Sequence, residues 1–376
     1  APFNFDDEVV IKAQIAELDR GQRWTVYYDF YPPKYRHLFY SSLLLNYSLG
    51  ELDTFGYHLV NTSLHLFTSI IIFFIAFITI EKGLSLNKKD AFSIASITTL
   101  LFSINPVHSE TVNYISARAV GMSSFFYLSA LLSFILGSFR ERKPLPRFLL
   151  YFSTLICFLA SILSKETALT FPIVLLLYDV CFMRNDCWAP LKNRLLFFYL
   201  PLFLCAILVL LKVLSFKNLI VHFWQKMDAG YGLKQIRIIG YGARLLLLPI
   251  GLTFDYDFPS TFFPSTAILA TATLLMLGII LAAILCFPRS LAMVSFCTLW
   301  FLLTLAPTNS IFPRLDLLNE RNLYLPSLGV LLLFATTIHR LVLAKNNQLI
   351  VKKIGGYCLI IFFIFQIILL HERNLL

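Results

Sequence analysis

Charged residues are scarce in this chain. Asp, Glu, Lys and Arg make up 14% of its 376 residues, whereas hydrophobic residues make up 58%, and the mean hydropathy is +0.75. An ordinary soluble domain is about one quarter charged. The composition therefore excludes a soluble globular domain and indicates an integral membrane protein with many spans.

Several kinds of site are also excluded by what the sequence lacks. The seven cysteines form no Cys-x-x-Cys pair, so neither a disulfide framework nor a zinc site is predicted. There is no Gly-x-Gly-x-x-Gly, Walker or Gly-x-Ser-x-Gly motif, so nucleotide-driven transport and serine hydrolysis have no signal. No cofactor is required by the sequence, although a divalent metal stays open.

Long apolar runs recur to the end of the chain. A helix needs about 20 mainly apolar residues to cross the hydrocarbon. We predict an all-α, polytopic transmembrane helix bundle of about ten spans, and one further span before residue 1. The predicted spans cover residues 57–80, 91–107, 114–139, 148–163, 168–183, 195–216, 265–287, 291–306, 322–338 and 354–370.

The Lys and Arg residues between these runs predict an orientation. Most of them fall in short loops that alternating spans place on one side, which the positive-inside rule makes cytoplasmic. The net charge of +10 is explained in this way, and no nucleic-acid partner is predicted. The cytoplasmic positions include Lys88, Arg142, Arg194 and Lys352, whereas Asp7, Lys165 and Arg321 face the other side.

The stretch "GLKQIRIIGYGARLLLLPIG", residues 232–251, tests this orientation. An additional crossing here would move the later Lys-rich loop outside, so we interpret it as an amphipathic or re-entrant helix on the outer surface. The chain then divides into an outer-face catalytic loop with surface helices (1–56), transmembrane helices (57–216), an outer-face loop (217–264) and further transmembrane helices (265–376).

The outer turns carry ionisable residues that a plain turn does not need. Such groups are expensive near a membrane unless they are paired or line an aqueous cavity, so they are functional candidates. Alternatively, Lys165 and Glu166 are a simple turn pair, while Arg118 and Arg321 extend to lipid headgroups. The candidates in the outer turns are His108, Glu110, Arg118, Lys165, Glu166, Glu320 and Arg321.

Together these residue types suit a lipid-linked sugar phosphate. Arg and Lys bind phosphate through forked hydrogen bonds and a point charge respectively. A carboxylate pair suits proton abstraction from a hydroxyl, or a metal. With an apolar groove between helices, the predicted donor is a polyprenyl-phosphate sugar.

Several segments carry a family resemblance. The runs "FDDEVVI", "NPVHSETVNYISARAVGM", "SKETALTF", "LLLLPIGLTFDYDF" and "ERNLYLPSLG" resemble, in order, the membrane portion of the O-mannosyltransferases that carry tetratricopeptide repeats and modify cadherins. That family belongs to the GT-C glycosyltransferase class. The repeats themselves are absent from this sequence.

The resemblance implies roles for individual residues. A carboxylate of the first outer loop is the catalytic base, and this maps onto Asp6 and Asp7, of which we choose Asp7. The competing interpretation is a capping or turn pair before "DEVVIKAQIAEL". Lys165 and Arg321 are the first candidates for the donor phosphate.

The remaining assignments are less direct. Arg118 and Arg36 are further candidates for the phosphate. Asp255 and Asp257 of "FDYDF" either line the acceptor or sugar side of the site or belong to a plain loop. The pocket is assigned to His108, Glu110, Glu166 and Glu320.

The expected function is therefore that of an inverting hexosyltransferase. It moves a mannose-like sugar from a polyprenyl-phosphate donor to a hydroxyl of a protein or glycan acceptor, with membrane lipids around it. The site faces the periplasm or the lumen, in a bacterial inner membrane or the endoplasmic reticulum. The alternatives are a transporter or flippase of the lipid-linked sugar and a non-catalytic scaffold. Transporters place ionisable groups near the membrane midplane, so their position in the outer turns favours the enzyme.

Overall fold

The structure is a computed structural model that describes a large part of the predicted bundle. The described residues are 7, 10–11, 36–139, 141, 143–183, 194, 198–200, 202–204, 207, 229–259, 262, 291–309, 316–343 and 349–375. The predicted span 265–287 lies outside them, as does most of 195–216. Asp6 and Arg142 lie outside them as well.

The described elements are helices and helical turns, with no strand among the described residues, which confirms the all-α class there. Short 3₁₀ turns lie at Pro106–His108, Ile115–Ala117, Glu166–Thr170 and Glu320–Leu323. The helices are α1 His37–Gly50, α2 Thr54–Ile78, α3 Lys88–Ser103, α4 Ser109–Asn113, α5 Arg118–Gly137, α6 Pro144–Ser164, α7 Phe171–Phe182, α8 Ala229–Leu247, α9 Ala292–Leu305, α10 Ser327–Ile338 and α11 Leu349–Leu375.

Polar residues fix where two of the long helices begin. Asp53 caps α2 by accepting a hydrogen bond of 3.1 Å from the Phe55 amide, and Asn87 caps α3 by accepting one of 2.9 Å from the Asp90 amide. Such caps satisfy backbone donors that the first turn of a helix leaves without partners. The apolar runs therefore begin as helices directly after the polar loops.

The described residues contain four helices that are long and apolar enough to cross a membrane, or five if one bent pair counts as a span. The bent pair joins Lys88–Ser103 to Pro106–Asn113 at 48°. Two further apolar helices, Ala292–Leu305 and Ser327–Leu343, are shorter. The chain is thus a membrane protein, whereas the number of ten spans stays a prediction. The four long segments are Thr54–Gly83, Ile115–Gly137, Pro144–Ser164 and Ile350–Leu375.

Helix α5 is at the centre of the described bundle. It packs against α2 and α6. Of the most apolar stretch of 18 residues in Ile115–Gly137, 67% is buried, compared with 28% of the corresponding stretch in α6. Tyr127 of α5 contacts the rings of Phe171 in α7 and Trp300 in α9 edge-on. A residue at the start of α5 is therefore surrounded by several helices.

One end of the bundle, which we call the site end, contains the predicted outer turns. It consists of residues 105–117, 165–170, 251–258 and 316–324 and the last turn of α11, where Asn374 accepts a hydrogen bond of 2.8 Å from Asn113. Contacts between these segments, described below, connect turns that are far apart in sequence.

The opposite end contains the described loops that were predicted to be cytoplasmic. His339 lies 3.4 Å from Asp90, and Gly83 packs against Phe182. Arg194, following α7, forms a two-pronged ion pair with Asp179 at 2.8 and 2.6 Å. Lys88 and Arg194 therefore lie at the end of the bundle away from Lys165 and Arg321.

Helix α8 covers most of the stretch interpreted as amphipathic or re-entrant. Its buried residues Ile238, Leu245 and Leu246 pack with Val107 and Leu323 of the site end. Asn105 donates a hydrogen bond of 2.8 Å to the Leu246 carbonyl. Among the described helices, α8 is not one of those apolar enough to cross. It lies against the site end. The division of the chain into four segments stays a prediction.

Candidate active site

The turn before α5 and the turn before α10 are joined by an ion pair. Glu110 is 1% exposed and accepts hydrogen bonds from the backbone nitrogen of Arg321, at 2.7 Å, and from its Nη1, at 3.2 Å. The Arg321 guanidinium also lies over the ring of Tyr114, with Cζ 5.4 Å from its centroid. The side chain of Arg321 remains 27% exposed, so one face of it is accessible.

The turn after α6 contacts the turn before α10 through Lys165. Its Nζ donates a hydrogen bond of 3.0 Å to Oδ1 of Asn322, the residue after Arg321. Three of the predicted outer turns thus meet around Lys165, Glu110 and Arg321. A lysine ammonium beside an arginine guanidinium is a suitable environment for an anion such as phosphate.

Arg36 and Glu166 form a forked ion pair at the edge of this group. Arg36 donates from Nε at 2.9 Å and from Nη2 at 2.6 Å to the two carboxylate oxygens. Burial acts to raise the pKa of Glu166, but the hydrogen bonds and charge of Arg36 outweigh it, so the pKa lies below its usual value. Because the fork of Arg36 is occupied by Glu166, its position favours holding the N-terminal segment over binding phosphate.

Glu320 is a second buried carboxylate at the site end and is 0% exposed. It accepts hydrogen bonds from the Thr253 amide at 2.9 Å and the Tyr256 hydroxyl at 2.6 Å. Arg373 reaches its other oxygen at 3.4 Å. Burial raises the pKa of Glu320 to about 7, although Arg373 acts to lower it. Burial and the charge of Glu320 raise the pKa of Tyr256 in turn.

Asp7 is completely buried and lies at the start of the turn that leads into α5. Its Oδ1 accepts a hydrogen bond of 2.7 Å from the Ser116 amide and another from Ser116 Oγ. Its Oδ2 accepts one of 3.3 Å from the Ile115 amide. Amide groups at the start of a helix favour a negative charge, so this position suits an ionised carboxylate.

The buried side chain of Ile11, four residues after Asp7, helps to hold this part of the chain in place. Ile11 is buried among Leu43 of α1, Tyr57 of α2, and Ile115 and Ala119 of α5. The predicted local cap or turn pair before "DEVVIKAQIAEL" stays a prediction, because most of that segment lies outside the described residues. Asp7 accepts hydrogen bonds from a helix start more than 100 residues away in sequence, which leaves the catalytic interpretation untested.

Arg118 connects three helices from within the bundle. It is 1% exposed, and its guanidinium donates to Asn61 at 2.8 Å, to Asn46 at 2.6 Å and to the Tyr57 carbonyl at 3.0 Å. All three partners are neutral oxygen atoms on α1 or α2. This arrangement favours a role in holding α1 and α2 against α5, and the predicted phosphate contact stays untested.

His108 is satisfied by partners inside the fold. Its Nδ1 lies 2.8 Å from the Phe102 carbonyl and its Nε2 lies 3.1 Å from Ser327 Oγ. The ring also packs against Tyr324, with centroids 4.8 Å apart. His108 is therefore a buried side chain whose two ring nitrogens both have partners within the fold, and its assignment to the pocket stays a prediction.

A narrow polar crevice lies beside Arg118, between α2, α4 and Tyr324. Its lining includes Asn61, His65, Thr111 and Arg118. The hydroxyl of Thr111 is buried and has no hydrogen-bond partner among the described residues. Buried polar groups normally have a partner, so this hydroxyl is an exception among the described residues.

Several residues of the site were missed by sequence reasoning. Asn322, Tyr256 and Arg373 all contact a predicted site residue. In "FDYDF" the sequence analysis selected Asp255 and Asp257, which are exposed, whereas the buried Tyr256 between them reaches Glu320. The alternation of the motif was the available signal, because alternate residues of an extended segment point in opposite directions.

The described residues do not form a ready metal site. No group of three His, Cys, Asp or Glu side chains with metal-binding geometry occurs among them. Glu110 and Glu320 are each held by an arginine, whose charge opposes a cation. A metal shared by Asp6 and Asp7 stays a prediction, since Asp6 lies outside the described residues.

Comparison with curated proteins gives relatives with one common name. The chain is 28% identical over 331 residues to "Protein O-mannosyl-transferase F38B6.6" of Caenorhabditis elegans, covering 83% of the chain and 43% of that protein. It is 26% identical over 403 residues to "Protein O-mannosyl-transferase Tmtc3" of Drosophila melanogaster, covering 91% and 43%. This chain is a homologue of the protein O-mannosyl-transferases.

The homology to protein O-mannosyl-transferases confirms the resemblance seen in the sequence. Human "Protein O-mannosyl-transferase TMTC3" is 32% identical over 159 residues, which cover 42% of the chain and 16% of that protein. The chain spans 43% of the length of each of the two relatives that it matches over most of its own length. No family model matches the chain, and no solved structure matches it.

Proposed function

We propose that this chain is the membrane portion of a GT-C-type glycosyltransferase. It transfers mannose from a polyprenyl-phosphate donor to a hydroxyl group of a protein, at the site end, which faces the lumen of the endoplasmic reticulum. The names of the relatives support the sugar and the protein acceptor. The location of the ionisable turns at one end of the bundle supports catalysis there.

One relationship carries the proposal. The residues 114–116 form a short turn with Asp7 on one side and Arg321 on the other. Asp7 accepts hydrogen bonds from Ile115 and Ser116, while the Arg321 guanidinium lies over the ring of Tyr114. A candidate base and a candidate phosphate ligand therefore contact the same short turn, although they are more than 300 residues apart in sequence.

The proposed reaction uses these groups as follows. Asp7 removes the proton from the acceptor hydroxyl, whose oxygen forms a bond with the anomeric carbon of the donor. The bond between that carbon and the phosphate oxygen breaks, and its electron pair goes to the phosphate. The leaving phosphate gains one negative charge, which Lys165 and Arg321 stabilise. A single displacement of this kind inverts the anomeric carbon.

Arg36 and Arg118 have positioning roles in this proposal. Arg36 fastens the start of α1 to Glu166, and Arg118 fixes α1 and α2 beside the start of α5. Thr111 offers an unpartnered hydroxyl group within the adjoining crevice.

The test is a transfer assay with the purified protein in lipid nanodiscs. Radiolabelled polyprenyl-phosphate mannose is supplied with hydroxyl-bearing peptides, and product formation is measured. We expect transfer from this donor and none from a nucleotide-linked mannose. Movement of the intact lipid-linked sugar across the membrane of sealed vesicles, without transfer to any peptide, would refute the transferase function and support the transporter instead.

A further inference from the structure

Glu320 connects three segments of the chain at the site end. Its carboxylate accepts hydrogen bonds from the Thr253 amide, the Tyr256 hydroxyl and the Arg373 guanidinium. Thr253 and Tyr256 belong to the 251–258 loop, and Arg373 belongs to the last turn of α11. The turn that starts at Glu320 is therefore fastened to two distant parts of the chain at once.

The residues directly after Glu320 carry the candidate anion site. Arg321 pairs with Glu110, and Asn322 accepts the hydrogen bond of Lys165. Glu320, Arg321 and Asn322 all belong to the 3₁₀ turn Glu320–Leu323. The position of Glu320 therefore sets the position of Arg321 and of Asn322, the partner of Lys165. A shift of about 1 Å in such groups can reduce catalysis substantially.

Arg373 is itself held in place by several groups. Its Nη1 donates a hydrogen bond of 3.1 Å to the Leu252 carbonyl, and its Cζ lies 5.1 Å from the centroid of the Phe254 ring. The Arg373 side chain is 10% exposed and that of Glu320 is 0% exposed. Water therefore screens this pair less than it screens an ion pair on a surface.

We propose that Glu320 and Arg373 are a positioning pair. They fasten the end of α11 and the 251–258 loop to the turn that carries Arg321 and Asn322, and thereby hold the anion-binding side chains in place for the donor phosphate. The inference rests on the proposed function, because it assigns the pair to the donor site of that same reaction. Neither residue needs to contact the substrate.

The experiment compares Glu320→Gln, Arg373→Gln, the double variant and Arg373→Lys. We expect each single Gln variant to raise the KM for polyprenyl-phosphate mannose about tenfold, with kcat changed much less, because the groups that hold the phosphate are displaced. The double variant should resemble the single ones, since both remove the same interaction. Arg373→Lys should recover most of the loss. Arg340→Gln, an exposed arginine at the opposite end, is the matched control.

The possible outcomes separate this inference from the proposed function. Binding of polyprenyl phosphate to each variant is measured alongside transfer, so the pair is tested even if the parent protein transfers no sugar. Parental KM and binding in both Gln variants would overturn the positioning pair, as would losses that multiply in the double variant. If a Gln variant does not give a folded monodisperse protein, Glu320→Asp replaces it, because the shorter side chain withdraws the carboxylate from Arg373; a raised KM is then expected, and a parental KM would overturn the positioning pair.

Discussion

Asp7 and Ser116 are joined by two hydrogen bonds, one from the Ser116 amide at 2.7 Å and one from its hydroxyl. The first described residue of the chain is thereby placed at the start of α5, the most buried of the membrane-capable helices. The same carboxylate is the proposed base. Its function and its structural role can be separated by experiment, because Ser116 contributes only to the second.

Asp7→Asn should remove the base and leave the phosphate-binding turns intact. We expect transfer to fall by about 10² to 10⁴, the usual range for general base catalysis, while donor binding persists. Ser116→Ala removes one donor to Asp7 and should cost about 1 kcal/mol of stability with transfer largely kept. The measurement is single-turnover transfer beside donor binding on purified variants.

The control for that experiment is Asp53→Asn, which makes the same chemical change at the exposed cap of α2. Asp6→Asn should reduce transfer less than Asp7→Asn if Asp6 only orients its neighbour. Equal losses that depend on added chelator would instead indicate a shared metal. Transfer at the parental rate in both Asp variants would refute the catalytic assignment of this stretch.

Lys165→Gln should weaken use of the donor. A charge-assisted hydrogen bond contributes roughly 1.5 to 3 kcal/mol, so we expect about a ten- to hundredfold loss of kcat/KM for the lipid-linked donor. The neutral Gln retains a group that can donate to Asn322, which keeps the turn contact. Lys88→Gln, at the opposite end and exposed, is the matched control.

Arg321→Lys should be tolerated only in part. A lysine keeps the charge opposite the buried Glu110 but cannot make a forked contact with a phosphate. We expect donor KM to rise while the unfolding temperature changes little. Arg321→Ala is the less informative variant, because it also leaves the buried Glu110 without its cation and destabilises the fold. Unchanged donor dependence in both Lys165→Gln and Arg321→Lys would remove these residues from the site.

The sequence predicted the site best where it depended on local pattern. The apolar runs, the polar caps at Asp53 and Asn87, and the charged outer turns are local features. From these features the sequence correctly placed Glu110, Lys165 and Arg321 at one end of the bundle. The partners of each side chain could not be predicted, since they come from segments far apart in the chain. Arg118, for example, binds neutral oxygens of α1 and α2.

Arg373 shows why other residues of the site were missed. In the sequence it is one charge after a long apolar run, which is typical of a helix end at a membrane surface. Only the packing of α11 beside the 251–258 loop gives it Glu320 as a partner. No periodicity or motif within the last helix carries that information.

Stability should depend on pH through Glu320. Its pKa is raised from 4.5 to about 7 in the folded protein, so between these values the folded state binds more protons than the unfolded state. This contribution is complete below about pH 4.5 and is lost as the pH rises through about 7. Its full size is on the order of 3 kcal/mol, of which about 2 kcal/mol is lost between pH 5.5 and 7.5. Thermal unfolding at pH 5.5 and 7.5 measures it.

Glu320→Gln should remove this part of the pH dependence, because Gln carries no titrating proton. Glu51→Gln, an exposed glutamate, is the control and should retain the parental dependence. If Glu320→Gln loses stability with rising pH as steeply as the parent protein, the buried carboxyl group is not the source.

The two ends of the bundle should face opposite sides of the membrane. Impermeant thiol reagents can test this on sealed microsomes, using single introduced cysteines in a background where all seven native cysteines are replaced by Ser. Lys88 and Lys353 are exposed at or near the opposite end, and Asp257 is exposed at the site end. Arg194, although predicted to be cytoplasmic, is 2% exposed against Asp179, so it cannot report the side.

The positive-inside rule predicts that Lys88→Cys and Lys353→Cys are labelled in intact microsomes, whose outer surface is the cytoplasmic one. Asp257→Cys should react only after detergent opens the membrane. The comparison is sharpest at Lys353, because its side depends on how residues 232–251 are interpreted. If α8 lies on the lumenal surface, Lys353 and Lys88 share a side. If Lys353→Cys instead reacts only after detergent, as expected for Asp257→Cys, the chain crosses the membrane once more before α11 than predicted, and the interpretation of residues 232–251 as a surface helix has to be revised.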